Sequence, residues 1–306
     1  MNEAQPNMNP SVLAASDAPA SEPAKTSDAN FLSELVRFDK VSKSFGAGPE
    51  ARVAIQDVSF VVHDLPDKGE LVAIVGPSGC GKSTVLRIIA GLRPHHPPTS
   101  GEAKVFGKAI EKPGAERGMV DQKYSLMPHL TVLENIAFGL MLRGVPDKER
   151  RDRAREWAKK VGLEGTEDKY PSELSGGMQQ RVSIAATLIL EAKILLMDEP
   201  FGALDPRIRM QMQELLVTLW KEQQSTVFIV THSVDEAIYL GDRVLRMAAK
   251  PGRLVEMLQL PRPDVPPEVM RKEPWFNVLS QELLRRLETD APASGELPGI
   301  EKWRRT

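Results

Sequence analysis

The stretch Leu71-Val-Ala-Ile-Val-Gly-Pro-Ser-Gly-Cys-Gly-Lys-Ser-Thr84 decides the fold. Its first five residues are apolar and rich in β-branched side chains, and Gly69 and Gly76 bound them. That composition suits a short strand buried on both faces of a parallel sheet. From Gly76 onward the residues fit the pattern G-x-x-x-x-G-K-[ST], which requires a strand before it and a helix after it. Lys82 to Leu92 reads as that helix. The glycines let the backbone turn so that N–H groups along Gly76, Pro77, Ser78, Gly79, Cys80, Gly81, Lys82, Ser83 and Thr84 face phosphate oxygens, proline excepted. The helix N-terminus adds partial positive charge. Lys82 supplies a full charge for β- and γ-phosphates, and the Ser83 hydroxyl is placed to ligate Mg²⁺.

Working outward, Leu35, Phe38 and Val41 through Phe45 read as a first strand and Val53 to Val62 as a second. Ile194 to Met197 and Val227 to Val230 are two more strands of the buried type. Between them, Ile208, Met212, Leu215, Leu216 and Leu219 mark one face of a helix. Strands alternating with helices predict an α/β fold with a mainly parallel sheet. Residues 123–190 read instead as a helical insertion, with helices over Leu133–Leu142, Lys148–Val161 and Met178–Leu190. Residues 1–33 read as a disordered tail, since residues 1–30 are rich in Ala, Ser, Pro and Asn and hold no aromatic side chain. Residues 259–306 read as a C-terminal extension, proline-rich, with an amphipathic stretch at Trp275–Leu287.

Composition narrows the function classes. Across 306 residues, Lys plus Arg is 40 and Asp plus Glu is 42, a formal net charge of −2. That balance argues against a surface built to coat nucleic acid, and no nucleic-acid partner is expected. The single cysteine, Cys80, excludes an intrachain disulfide framework. It lies inside the phosphate loop, so thiol-reactive reagents are expected to block nucleotide binding. The longest apolar run, Val182 to Met197, is broken by Glu191 and Lys193 and falls short of a membrane span. His95-His96, in the proline-rich stretch Arg93–Pro98, reads as a solvated loop without a third metal ligand.

Ile194-Leu-Leu-Met-Asp-Glu-Pro200 is an apolar strand ending in two carboxylates. Asp198 at the strand tip can hold Mg²⁺ through a water, across from Ser83. Glu199, one residue on, can accept a proton from an attacking water. Hydrolysis of a phosphoanhydride needs both a metal clamp and a positioned water, which gives the adjacent residues separate roles.

Leu174-Ser-Gly-Gly-Met-Gln-Gln-Arg181 resembles the signature sequence of ABC-transporter ATPases. Other elements of that family follow in the expected order over residues 34–258. Phe45 matches the aromatic that stacks on adenine, Gln122 the glutamine of the Q-loop, Gly202-Ala-Leu-Asp205 the D-loop and His232 the switch histidine. The resemblance implies a P-loop NTPase with a RecA-like core, a small antiparallel β subdomain and the helical insertion carrying the signature. It implies ATP and Mg²⁺ as ligands, with Ser83, Gln122 and, through water, Asp198 around the metal. Glu199, His232 and Gln122 would act at the γ-phosphate. Ser175, Gly176, Gly177 and Asp205 would face the ATP of a second copy or a related ATPase in a head-to-tail dimer.

Pro113–Val120, Leu130–Leu140, Val234–Val244 and Ala249–Glu256 resemble the nitrate/sulfonate/taurine group of importer ATPases. This implies permease subunits as partners, a solute-binding protein indirectly, and a peripheral position on the cytoplasmic face of the membrane. The apolar residues Tyr124, Leu126, Met127, Pro128 and Leu130 suit docking of a permease. Asp121, His129, Ala186 and Ser233 depart from that group's usual residues. Two other readings stay open: an importer ATPase for a different small solute, and a soluble ABC ATPase acting in DNA maintenance or translation. A small-molecule or nucleoside kinase leaves the signature unexplained.

Overall fold

The computed structural model describes residues 33–65, 68–122, 125–202, 204–260 and 267–288. The expected tail lies outside these residues but for Ser33, as do Tyr124, Ala203 and the end of the C-terminal extension. Two sheets carry the fold. The smaller is antiparallel, in the order β2-β1-β4-β5, built from β1 (Glu34–Phe45), β2 (Arg52–His63), β4 (Ser100–Val105) and β5 (Lys108–Ala109). The larger has six strands in the order β10-β9-β3-β8-β7-β6. Its members are β3 (Leu71–Val75), β6 (Arg117–Val120), β7 (Ile194–Asp198), β8 (Thr226–Val230), β9 (Arg243–Ala248) and β10 (Arg253–Gln259). All its pairings are parallel except β10 on β9.

Every residue of β3, β7 and β8 is buried, as their apolar runs require, with Asp198 and Thr226 the polar residues at two strand ends. The two-residue period of a strand sends alternate side chains to opposite faces. Leu71, Ala73 and Val75 join one core, shared with Leu195, Met197, Val227 and Ile229. Val72 and Ile74 join the other, which the antiparallel sheet and helix α1 (Lys82–Ala90) close through Phe38, Ile55, Leu86 and Ile89. The α/β reading therefore holds.

The helical segment comprises α2 (Val132–Leu142), α3 (Asp147–Lys160) and α4 (Gly176–Leu188). Thr131 and Glu134 start α2 as a reciprocal capping box: the Thr131 hydroxyl accepts from the Glu134 N–H, and the Glu134 carboxylate accepts from the Thr131 N–H. Helix α5 (Pro206–Gln223) starts at Asp205, whose carboxylate accepts from the N–H groups of Arg207 and Ile208. Helix α6 (Val234–Leu240) starts at Ser233. Serine and aspartate serve equally as N-caps, so the departure at Ser233 costs the helix nothing. Helices α7 (Pro267–Met270) and α8 (Pro274–Leu287) complete the order. The amphipathic stretch at Trp275 is helix α8, and Trp275, Phe276, Leu279 and Leu283 join the larger core. Among the described residues, no helix is long and apolar enough to cross a membrane.

Candidate active site

Strands β3, β8, β7 and β6 are adjacent and parallel, so their carboxyl ends share one edge. Open α/β sheets bind ligands outside that edge. Each strand here delivers one part of the expected site: the phosphate loop after β3, His232 after β8, Asp198 and Glu199 at the end of β7, and Gln122 after β6.

The loop has an exposed crest at Pro77–Gly79 and a buried base. Gly81 caps α1 with φ +90°, and a Cβ there would lie 2.3 Å from Ile55 Cγ2. At Gly76 a Cβ would lie 2.4 Å from the Met247 carbonyl oxygen and 2.7 Å from Cys80 Sγ. Neither position tolerates a side chain, so the loop's curvature depends on both glycines. The Lys82 ammonium is buried and donates to the carbonyls of Gly76 (2.9 Å) and Pro77 (3.1 Å).

Cys80 corrects an expectation. Its side chain is fully buried beneath the loop, and burial pushes the thiol up from its ordinary value, with Lys82 opposing. A buried thiol raised in this way is a poor nucleophile, so labelling of Cys80 is expected to be slow. The Arg93–Pro98 loop is corrected too. It is not solvated throughout: His96 is buried, and His95 packs edge-on against Phe45 with ring centroids 5.2 Å apart. Lys43 Nζ lies 5.5 Å over the same Phe45 ring. Among the described residues, no group of three or more His, Cys, Asp or Glu forms a metal site.

At the end of β7, the Ser83 hydroxyl donates to Asp198 Oδ1 at 2.8 Å. Burial raises the Asp198 carboxyl above its ordinary value, while the Ser83 hydrogen bond and the Arg87 guanidinium, 3.5 Å away, pull it back. The hard oxygen donors and a carboxylate short of positive charge fit a Mg²⁺ ion. Arg87 also lies 3.7 Å from Asp121, so one side chain spans two acidic groups. Sequence reasoning passed over it. The signal was its spacing: Arg87 stands four residues after Ser83 on α1, hence on the same helix face.

The Asp198 shift has a consequence for stability. The folded state holds this proton more tightly than the unfolded chain does. The side chain therefore subtracts stability as pH rises from the ordinary aspartate range through its raised value, and the subtraction is complete above that. Asp198→Asn is expected to raise the thermal midpoint at pH 7 by a few degrees and to remove that part of the pH dependence. Calorimetry from pH 4 to 7 reads both effects, and a lower midpoint at pH 7 counts against the argument.

Glu199 has φ +48°, a left-handed conformation that a non-glycine residue adopts at a cost of roughly 1–2 kcal/mol. The turn swings its side chain off the strand direction. Glu199 Oε2 accepts from Gln122 Nε2 at 3.0 Å and lies 3.7 Å from His232 Nδ1. His232 and Gln122 are exposed and Glu199 is half-buried, so the trio faces outward beside the loop.

The remaining expected residues stand apart. Ser175 is exposed and its hydroxyl accepts from the Met178 N–H at 3.4 Å, capping α4, whose first turn contains Gly176 and Gly177. Asp205 caps α5. Helices α2 and α3 border a cavity of about 300 Å³ lined by His129, Leu130, Leu133, Phe138, Met141 and Arg150, among others. Of the apolar residues expected to receive a partner, Leu130 lines it. Leu126 packs against the core instead.

The family model for ABC transporters matches residues 55–202. A taurine import ATP-binding protein of Rhizobium johnstonii is 48% identical over 74% of this chain and 84% of its own length. The chain belongs to the ABC transporter family of ATPases. A nitrate import ATP-binding protein of Synechocystis is 44% identical to this ABC ATPase over 78% of the chain and 90% of the relative. Among solved structures, a dimeric ATP-binding cassette in a post-hydrolysis state, bound to ADP and Pi, is similar with a TM-score of 0.65. It is 34% identical, over 74% of this chain and 99% of that one.

Proposed function

We propose that this ABC ATPase drives an importer for a small oxyanion such as nitrate or a sulfonate like taurine, working as a head-to-tail dimer beneath permease subunits at the cytoplasmic face of the membrane. The observation that carries the hydrolytic part is the meeting of Gln122, Glu199 and His232 around one carboxylate oxygen beside the phosphate loop. The loop N–H groups and Lys82 bind the triphosphate of ATP, and Phe45 stacks on the base. Ser83, Asp198 and Gln122 would hold Mg²⁺, which when bound neutralises charge on the phosphate oxygens. Glu199 accepts a proton from the attacking water while the water oxygen bonds to the γ-phosphorus. The bond from that phosphorus to the bridging oxygen breaks, and its electron pair leaves with ADP. Gln122 and His232 hold the carboxylate and the water in line.

Ser175, Gly176 and Gly177 form a second anion site at a helix N-terminus, with the first turn of the helix capped by Asp205 packed beside Gly177, and this site closes over the ATP of a partner copy. The capped, exposed start of α4 supports that reading. The α2–α3 cavity, largely apolar with Glu134, Arg150 and Arg151 also in its lining, is the surface proposed for a permease helix. The relatives named for taurine and nitrate import support the cargo class; no side chain of the ATPase need touch the cargo.

Detergent extraction of membranes from cells carrying the tagged full chain tests the importer reading. A multi-span membrane protein is expected to co-purify, and a solute-binding protein loaded with nitrate or taurine is expected to raise ATPase activity. Recovery without a membrane subunit, with no response to either solute, sinks it.

A further inference from the structure

The loop that carries His232 is fixed by a buried chain of hydrogen bonds that begins in the C-terminal segment. The Thr231 hydroxyl donates to Glu236 Oε2 at 2.6 Å and accepts from the Ser233 N–H at 3.0 Å. Ser233 in turn accepts from the Glu236 N–H at 3.3 Å. His232 therefore sits between two residues that Glu236 pins. The other oxygen of Glu236 accepts from Gln213 Nε2 at 3.1 Å, and Gln213 Oε1 accepts from Arg271 Nη2 at 3.1 Å. Arg209 Nε lies 3.7 Å from Glu236. Thr231, Gln213 and Glu236 are all buried. A buried glutamine between a cation and a carboxylate has one amide orientation that satisfies both, so Arg271 locks Gln213 in the orientation that donates to Glu236.

Arg271 lies between α7 and α8. Its segment is docked independently of this chain of bonds. The Ser280 hydroxyl donates to Asp235 on α6 at 2.7 Å. Arg286 bonds Glu282 at 2.8 Å and pairs with Glu256 on β10, and Arg246 on β9 donates to the Arg286 carbonyl at 2.7 Å. Two separate sets of bonds thus tie the C-terminal segment to α6, the helix that follows the histidine loop.

We infer that Arg271 is a positioning residue for hydrolysis: through Gln213 and Glu236 it holds the Thr231–Ser233 loop so that His232 faces Glu199. The inference rests on His232 acting at the γ-phosphate. It gives the C-terminal segment a role in turnover beyond packing.

The test uses the full chain carrying Arg271→Met or Arg271→Lys, each alone and with His232→Ala, with hydrolysis followed over hours so that slow rates are readable. Arg271→Met is expected to lower kcat roughly 3–10-fold, in the lower part of the range of couplings within one hydrogen-bond network, with ATP KM unchanged. Arg271→Lys is expected to restore part of that loss. With His232→Ala present, Arg271→Met is expected to add nothing. Hydrogen exchange at the Ser233 amide should speed up in Arg271→Met while Leu71–Val75 stays protected. An equal fold-loss in both backgrounds, or unchanged kcat and unchanged Ser233 exchange, overturns the role of Arg271 and leaves that of His232 standing. Normal kcat in His232→Ala alone overturns the reading of the histidine itself, and the inference with it.

Discussion

Glu199→Gln is expected to bind ATP normally and to hydrolyse it at least about 100-fold more slowly, the lower end of what a positioned general base contributes. The glutamine keeps the side chain's length and its contact with Gln122, so the geometry at the end of β7 survives. What goes is the proton acceptor. ATP that binds and is not consumed should hold two copies together, because closure over the γ-phosphate no longer reverses by hydrolysis. Single-turnover kinetics measure the first effect, and sedimentation with and without ATP measures the second. Wild-type turnover in this variant would remove Glu199 from the mechanism.

Lys82→Ala is expected to weaken ATP binding roughly 10–100-fold, the loss expected when a charge-assisted hydrogen bond to a buried group is removed. The ammonium sits under the loop within hydrogen-bond distance of two loop carbonyls and is held there by burial. Its full positive charge is buried inside the cradle, where low dielectric strengthens its pull on phosphate. AMP, which has no β- or γ-phosphate, should lose little. Titration with a fluorescent nucleotide separates the cases, and equal losses for ATP and AMP would mean that the loop had deformed. Circular dichroism checks that α1 survives.

Much of the architecture was legible in the chain itself. The uniformly apolar runs at Leu71–Val75, Ile194–Met197 and Val227–Val230 are buried strands because only a strand covered on both faces can use such a run. The glycine-rich loop after β3 was legible because its pattern is local: consecutive backbone groups and the start of the next helix make it. Strands β4, β6, β9 and β10 carried no comparable signal. β4 is half-exposed and β6 is short, β9 is buried but interrupted by Arg246, and β10, at the sheet edge, alternates weakly. Pairing with neighbours, not their own composition, makes them strands.

By itself, then, the sequence determined the three fully buried strands β3, β7 and β8, the position of the glycine-rich loop, and which residue types were available for hydrolysis. It could do so because burial pattern and loop curvature are properties of contiguous residues. Only the tertiary structure decided that Cys80 is shielded, that Arg87 answers Asp198, and that Arg271 reaches the histidine loop through Gln213 and Glu236. Each of these joins segments far apart along the chain. Burial, charge pairing and buried hydrogen bonds of that kind depend on which surfaces the packed sheet and helices bring together, and no run of neighbouring residues encodes them.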